Sequence, residues 1–293
     1  MAVPAGRKGP PDFAFRKLTK PEEFRNAEEV QREAWGLAEE PPTSATIQRA
    51  IQDNGGLVLG AFADIYLAGI TIGFLGWDGS QLYHYSHMNA VRPAYQNHHV
   101  GFRLKAFQRE EVLKQGLALV RWTFDPLQSK NARLNVRRLG ARPDQYHVHY
   151  YGAMGSELNR GLESDRVRVT WALTDPVVEA RLAGKEPSAE EDRIRWKDSQ
   201  PLVETAVTDS GLRMPTTVNE PSRPTANLEI PFDLQVIRAH EAVHVRTWRH
   251  AVRDAFRAAF DLGYRFDDFS VLSLEHERRS FYFLSAPPSM KPA

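Results

Sequence analysis

The chain has no cysteine among its 293 residues. That absence excludes disulfides, cysteine-ligated zinc and a cysteine acyl-enzyme, and it accords with a reducing compartment. Long apolar runs are missing too: none approaches the ~18–20 residues needed to cross a bilayer. The start, Met1 to Pro11, is small, basic and proline-rich, without the apolar centre of a signal peptide. A flexible tail and a soluble cytoplasmic protein with no membrane partner are expected. An excess of one charge is also lacking. Lys and Arg total 38 against 37 Asp and Glu, so no broad basic face for nucleic acid is indicated.

What is present suffices for a core. Hydrophobic residues make up 42%, and the length suits one large domain or two ordinary ones. Phe13 to Leu18 reads as a strand. Thr19-Lys-Pro-Glu-Glu23 reads as a helix start capped by Thr19, and Phe24, Ala27, Val30, Ala34 and Trp35 mark one helical face. Thr46 to Gln52 reads as a short helix. Leu57 to Phe62, Leu67 to Leu75 and Leu82 to Met88 read as strands, and Phe102 to Gln115 as a helix.

The stretch between the last strand and that helix, Met88-Asn-Ala-Val-Arg-Pro-Ala-Tyr-Gln-Asn-His-His-Val-Gly101, is the most informative. Strand, tight loop, helix presents backbone N–H groups and the positive end of the helix dipole to an anion. An ordinary polar connection shows the same pattern. Leu117 to Phe124 then reads as a strand, Ser129 to Arg138 as a helix stopped near Gly140, and Gln145 to Met154 and Val167 to Leu173 as two further strands.

Val91-x-Pro93-x-Tyr95-Gln96-x-x-His99-Val100-Gly101 resembles the Val-x-Pro-x-Tyr-Arg/Gln-x-x-Gly-x-Gly/Ala signature of the GNAT acyltransferase superfamily, with His99 at the first glycine. The segment from Ser129 to Ala141 is similar to that family's next motif, Asn-x-x-Ala-x-x-Leu-Tyr-x-x-x-Gly-Phe. Ala132 and Gly140 match, Ser129 takes the Asn position, and Val136 takes the Tyr position. The resemblance implies an α/β (α+β) fold: a mixed, mostly antiparallel twisted sheet flanked by helices. It also implies acetyl-CoA or succinyl-CoA as co-substrate. The acyl carbonyl and pantetheine amides would meet backbone at Met88, Asn89, Ala90 and Val91. The diphosphate would meet Gln96, Asn97, His98, His99, Val100 and Gly101, with Ser129 and Ala132 contributing from the second motif. Since Val136 cannot protonate the leaving thiolate, Tyr151, Tyr146, Tyr150 or water must, and Tyr151 is the chosen candidate.

Further words, including Ser86-His87-Met88, Leu104-Lys105-x-x-Gln108-Arg109-Glu110 and Trp122-Thr-Phe-Asp125-Pro126-Leu127, look like one branch of that superfamily. The branch is similar to succinyl-CoA:D-amino acid N-succinyltransferases associated with N-succinylamino acid racemases. The implied function is acyl-CoA-dependent N-acylation of a small-molecule amine, a D-amino acid among the options, by direct attack on the thioester. A non-catalytic acyl-CoA-binding protein on the same fold is the alternative.

A base is needed to take the amine's proton. His84 and His87 lie three apart on one strand, hence on opposite faces, and His87, nearest the loop, is the candidate. His240-Glu241-Ala-Val-His244 matches a zinc pattern on an expected helix, but an unbroken helix would aim His250 away, and no metal is expected. Arg121, Arg133, Arg137, Arg138 and Arg142 read as a solvated basic helix face.

The expected organisation is a tail (1–11), a GNAT-like acyl-CoA-binding domain (12–175), a Pro-rich connection (176–227) and a C-terminal αββ unit (228–293). In the connection only a short helix, Pro176 to Ala183, is expected. The last part is a strand at Asn227 to Phe232 on a sheet edge, one long helix at Ala239 to Leu262, and strands at Phe266 to Leu274 and Ser280 to Leu284. It echoes the segment from Ser129 to Leu173 and reads equally as a degenerate half-repeat or a generic cap. An exposed Trp248 face there would support a homodimer.

Overall fold

The computed structural model describes residues 12–36, 41–152 and 163–288. The proposed tail lies outside them. The chain forms two compact units. Among described residues the first holds 12–36 and 41–122, the second 123–152 and 163–288.

In the first unit, β1 (Phe13–Lys17), α1 (Pro21–Trp35) and α2 (Ala45–Asp53) precede three long strands, β2 (Leu57–Ala63), β3 (Tyr66–Trp77) and β4 (Leu82–Val91). A 3-10 turn (Pro93–Tyr95) leads to α3 (Val100–Lys114), and β5 (Leu119–Phe124) follows; the division between units falls inside β5. The sheet order is β1-β2-β3-β4-β5. The first three neighbour pairs are antiparallel and β4–β5 is parallel. Alternation along β3 places Ile70 and Ile72 on one face, where they join Phe24, Ala27 and Val30 of α1 in a core. The opposite face receives α3, and Leu104 packs where a side chain at Gly69 would otherwise stand. Helix α1 starts one residue later than expected: its N-cap is Lys20, and the Glu23 carboxylate reaches back to accept from the Thr19 and Lys20 amides.

The second unit begins with α4 (Ser129–Ala132), which runs on as a π-helical segment, Arg133–Arg138. Strands β6 (Arg142–His147) and β7 (Arg166–Ala172) pair antiparallel. Strand β6 is shorter than expected, and the last two residues of its expected range lie outside the described residues. Then come α5 (Pro176–Leu182), α6 (Ala189–Asp198), β8 (Gln200–Pro201), β9 (Val203–Val207), β10 (Arg213–Val218), β11 (Thr225–Ile230), α7 (Leu234–His240), α8 (Ala242–Asp261), β12 (Arg265–Leu274) and β13 (Glu277–Ser285). The order of the larger sheet is β12-β13-β11-β8, and β9 pairs β10.

Four expectations are corrected here. The stretch read as bare connection holds α6 and β8 to β10. Strand β11 is not an edge: it pairs β13 over six residues and β8 over two, with Pro231 just beyond its end. The single long helix is two helices, because Glu241 is extended, with φ −154° and ψ 141°. Trp248 is buried and its Nε1 donates to the Arg213 carbonyl at 3.2 Å, which removes the exposed face on which the homodimer rested. No described helix is long and apolar enough to cross a membrane.

Candidate acyl-CoA site

The loop between β4 and α3 is tied at its base and exposed at its crest. Arg92 donates from its backbone N to the Ala68 carbonyl at 2.9 Å and from Nε to Leu67 at 2.8 Å, and it pairs with Glu33. Tyr95 is buried, edge-on to Phe13 with centroids 6.0 Å apart. Gln96 to His99 are exposed, and Gln96 Nε2 folds back to the Val91 carbonyl at 3.2 Å. Two residues adopt left-handed backbone, Asn97 (φ 67°) and His99 (φ 58°). Asn tolerates that region; for His it costs on the order of 1 kcal/mol. The conformation a glycine would take at the His99 position is therefore kept.

Helix α3 begins two residues earlier than expected. Its N-cap is His99, whose side chain supplies no cap bond. The Val100 and Gly101 amides sit in the first turn, where no carbonyl of the helix can reach them. Gly101 is not required by the chain's own packing. Its φ is not positive, and a Cβ there would meet Asn89 Nδ2 at 3.5 Å and Val91 Cγ2 at 3.7 Å, ordinary contact distances. Asn89 Nδ2 donates to the Gly101 carbonyl at 3.0 Å, while its buried Oδ1 has no partner among the described residues.

Register fixes which side chains face which way on β4. Gly73 pairs Ser86 and Ile72 pairs Met88, so His87 is the extra residue of a β-bulge. Ser86 and Asn89 face α3; His87 and Met88 both face the α1 side. Strand β4 pairs β5 at His84↔Val120 and Tyr85↔Arg121, and that ladder stops just before the bulge. His87 is exposed, 5.9 Å from the Phe74 ring, and the crowding of protein around it lowers its pKa by desolvation. It is a neutral imidazole at neutral pH. Met88 is half-buried with its carbonyl accepting from Thr71 Oγ1 at 2.9 Å, Ala90 is buried, and the Val91 carbonyl takes Gln96.

His84 faces the other way and is not available as a base. Gln108 Nε2 donates to its Nε2 at 3.1 Å, and burial plus the neighbouring Lys105 push its pKa down to about 3. Lys105, also buried, donates to Ser86 Oγ and Gln108 Oε1, each at 2.9 Å, and lies 3.7 Å from the Trp122 ring centroid. Burial holds its amine well below the usual lysine range. Ser86, Lys105, Gln108 and Trp122 all fall in the words quoted for the branch resemblance, but no window of sequence says that they meet; α3 and β4 have to be docked before the cluster exists. A groove of about 590 Å³ between β1 and α3 is elsewhere on this unit, and its charges pair with one another: Arg16 with Glu23, and Lys17 and Lys114 with Glu111.

The other expected site residues belong to the second unit. Tyr151 is exposed, with its hydroxyl 3.2 Å from Thr123 Oγ1 and the Arg166 guanidinium 5.3 Å from its ring. Tyr150 is exposed and stacks edge-on to it. Tyr146 donates to Asp165 Oδ2 at 2.7 Å, and burial raises its pKa. Ser129 is buried, its Oγ 2.8 Å from Ser280 Oγ, and Ala132 and Val136 are buried. The basic run is not one solvated helix face: Arg121 lies on β5 and pairs with Asp78, Arg142 lies on β6, and Arg137 is buried and bridges Asp192 and Asp268. The break at Glu241 separates His240 from His244, and no group of three or more metal-ligating side chains occurs among the described residues.

No protein-family model matches the sequence. No curated protein matches it. Solved structures do resemble it. One is the NatC complex bound to Gag peptide and CoA, at 16% identity and TM-score 0.44, covering 56% of this chain and 99% of that one. Another is the ribosomal-protein-S18-alanine N-acetyltransferase from Escherichia coli, at 17% identity and TM-score 0.45, covering 55% and 94%. A third is aminoglycoside 6′-acetyltransferase type Ii, at 13% identity and TM-score 0.44, covering 55% and 97%. At these levels the likeness decides neither activity nor substrate.

Proposed function

We propose that this protein is an acyl-CoA-dependent N-acyltransferase of GNAT type, which moves an acetyl or succinyl group to a small-molecule amine. The observation that carries the reading is the sequence bulged strand, doubly left-handed loop, helix without a side-chain cap. In that arrangement the first-turn amides have neither a helix carbonyl nor a side-chain cap as partner and follow directly on an exposed crest, and Gly101 adds no side chain of its own beside a diphosphate placed there. Gln96 to Gly101 would hold the diphosphate. Asn89, whose buried Oδ1 lacks a donor, would take an N–H of the pantetheine arm, and the backbone from Met88 to Val91 would align the thioester.

In the proposed reaction the amine nitrogen attacks the thioester carbonyl, and the N–H proton passes to the neutral imidazole of His87. The C–S bond then breaks and the thiolate takes a proton. Tyr151 remains the proposed donor, because its phenol is exposed while that of Tyr146 is committed to Asp165. A D-amino acid acceptor and a succinyl donor belong to the same proposal, on the branch resemblance alone. A cytoplasmic site of action does too.

Release of free thiol from acetyl-CoA or succinyl-CoA, dependent on an added amine, tests the reading. Coenzyme A binding without turnover on any amine would favour a non-catalytic acyl-CoA-binding protein instead. His87→Ala should cut turnover by roughly 10²-fold or more, the range for loss of a general base. The pH profile carries the sign. His87 works deprotonated, so activity falls as pH drops through its pKa, and desolvation puts that acid limb below the ordinary value of ~6.5. The limb should vanish in His87→Ala; a limb that persists unchanged assigns the base elsewhere.

A further inference from the structure

The face of the sheet opposite α3 carries a strip of rings where a solvated surface would carry polar groups. By register Phe74, Tyr83, Tyr85 and Arg121 share that face, and the bulge adds His87. Helix α1 covers the same face at Ile70 and Ile72 and ends at Trp35. Beyond it Phe74 is 37% exposed, Tyr83 and Tyr85 are half-buried and His87 is exposed. The Phe74 ring lies 5.3 Å from Tyr85 and 5.9 Å from His87, both tilted, at 38° and 46°. Gly76 is what lets Tyr83 lie down on the sheet: a Cβ there would stand 2.4 Å from Tyr83 Cζ. At the far end Arg121 sits 4.7 Å from the Tyr83 ring and bonds Asp78 at 2.9 Å. Asp78 also accepts from the Ser80 and Gln81 amides, so the acid at this end is already engaged.

Resting on the acyl-transfer reading, we infer that the acceptor is a primary amine bearing an aromatic ring, held by ring contacts on Phe74 and Tyr85 with its amine at His87. The diphosphate loop and this strip lie on opposite sides of the sheet, and the β4–β5 ladder stops between them. A thioester crossing there shows its carbonyl to the strip. Tilted ring pairs at 4.5–7 Å are favourable geometry, and a third ring extends the stack. The rings grip the non-reacting part of the molecule, so the gripping does not favour the protonated form of the amine, which cannot attack.

The test uses 2-phenylethylamine, n-pentylamine and spermidine as acceptors with wild type, Phe74→Ala and Phe74→Leu, the latter keeping apolar bulk without a ring. Expected is a preference of at least tenfold in kcat/KM for 2-phenylethylamine. That preference should be lost through KM in both variants, with coenzyme A affinity unchanged. A preference for n-pentylamine or spermidine, or an aromatic preference that survives in both variants, overturns the inference while acyl transfer stands. If none of the three releases thiol but a non-aromatic amino acid does, the inference is overturned while acyl transfer stands; if no amine of either kind does, the acyl-transfer reading fails, and NMR binding decides the strip separately. Ring-proton shifts at Phe74 and Tyr85 with 2-phenylethylamine but not n-pentylamine support it; equal shifts, or none, overturn it.

Discussion

Gly101→Glu should abolish coenzyme A binding and leave the fold as stable as before, or more so. Both halves follow from one position. Gly101 is second in α3, so replacing it removes a helical glycine, worth at most roughly 0.5–1 kcal/mol, the figure for a helix interior. A carboxylate in the first turn adds about 0.3–1 kcal/mol through the dipole. The new Cβ itself finds only ordinary contacts, at 3.5 and 3.7 Å. The same carboxylate would occupy the anion's place and repel it, and a Kd at least 100-fold weaker is expected by calorimetry. Gly101→Ala, with the Cβ and no charge, should gain the stability and lose only a few-fold in affinity. Binding by Gly101→Glu equal to the parent would mean that the diphosphate does not sit on this turn.

Arg249→Met should cost the second unit about 3–5 kcal/mol, the range for stranding one member of a buried ion pair. Arg249 grips Asp125 with two bonds, at 2.6 and 2.8 Å, and both are buried. The guanidinium holds the Asp125 carboxyl below its usual range against the pull of burial. Without it, a charged carboxylate is left in a low-dielectric site. Urea unfolding at neutral pH should show the full loss. The loss should shrink at lower pH, where the stranded carboxyl takes up a proton. Asp125→Leu combined with Arg249→Met should recover most of it, because replacing both charges with apolar groups removes their desolvation cost. An Arg249→Met variant as stable as the parent would show the pair to be dispensable.

The order of elements from Phe13 to Lys114 was legible because each carries a local signal: β-branched alternation, an apolar helical face, Asn54-Gly55-Gly56 at a turn. The loop was legible for the same reason, and the left-handed backbone at His99 explains how a histidine stands at a glycine position. The opposite orientation of His84 and His87 followed from strand periodicity. The bulge that sets His87 and Met88 on one face did not, because it depends on the partner strand. In the second unit, α6 had a readable start, Ser188 capping and Glu191 reaching back, which the surrounding proline and polar residues hid. The break at Glu241 has neither glycine nor proline to announce it. The Asp125–Arg249 pair joins residues 124 apart, and Arg137 joins Asp268 across 131. Such pairs are written into the fold, not into any window of sequence, so charges that look solvated can be core.

The central claim is that the amides at the start of α3 hold a diphosphate. Backbone NMR shifts at Asn97 to Phe102, followed during titration with coenzyme A and separately with pantetheine, test it directly. The diphosphate is present in the first ligand and absent from the second. Large shifts with coenzyme A and little change with pantetheine are expected. Coenzyme A bound with these amides unmoved, or pantetheine moving them equally, would contradict the account.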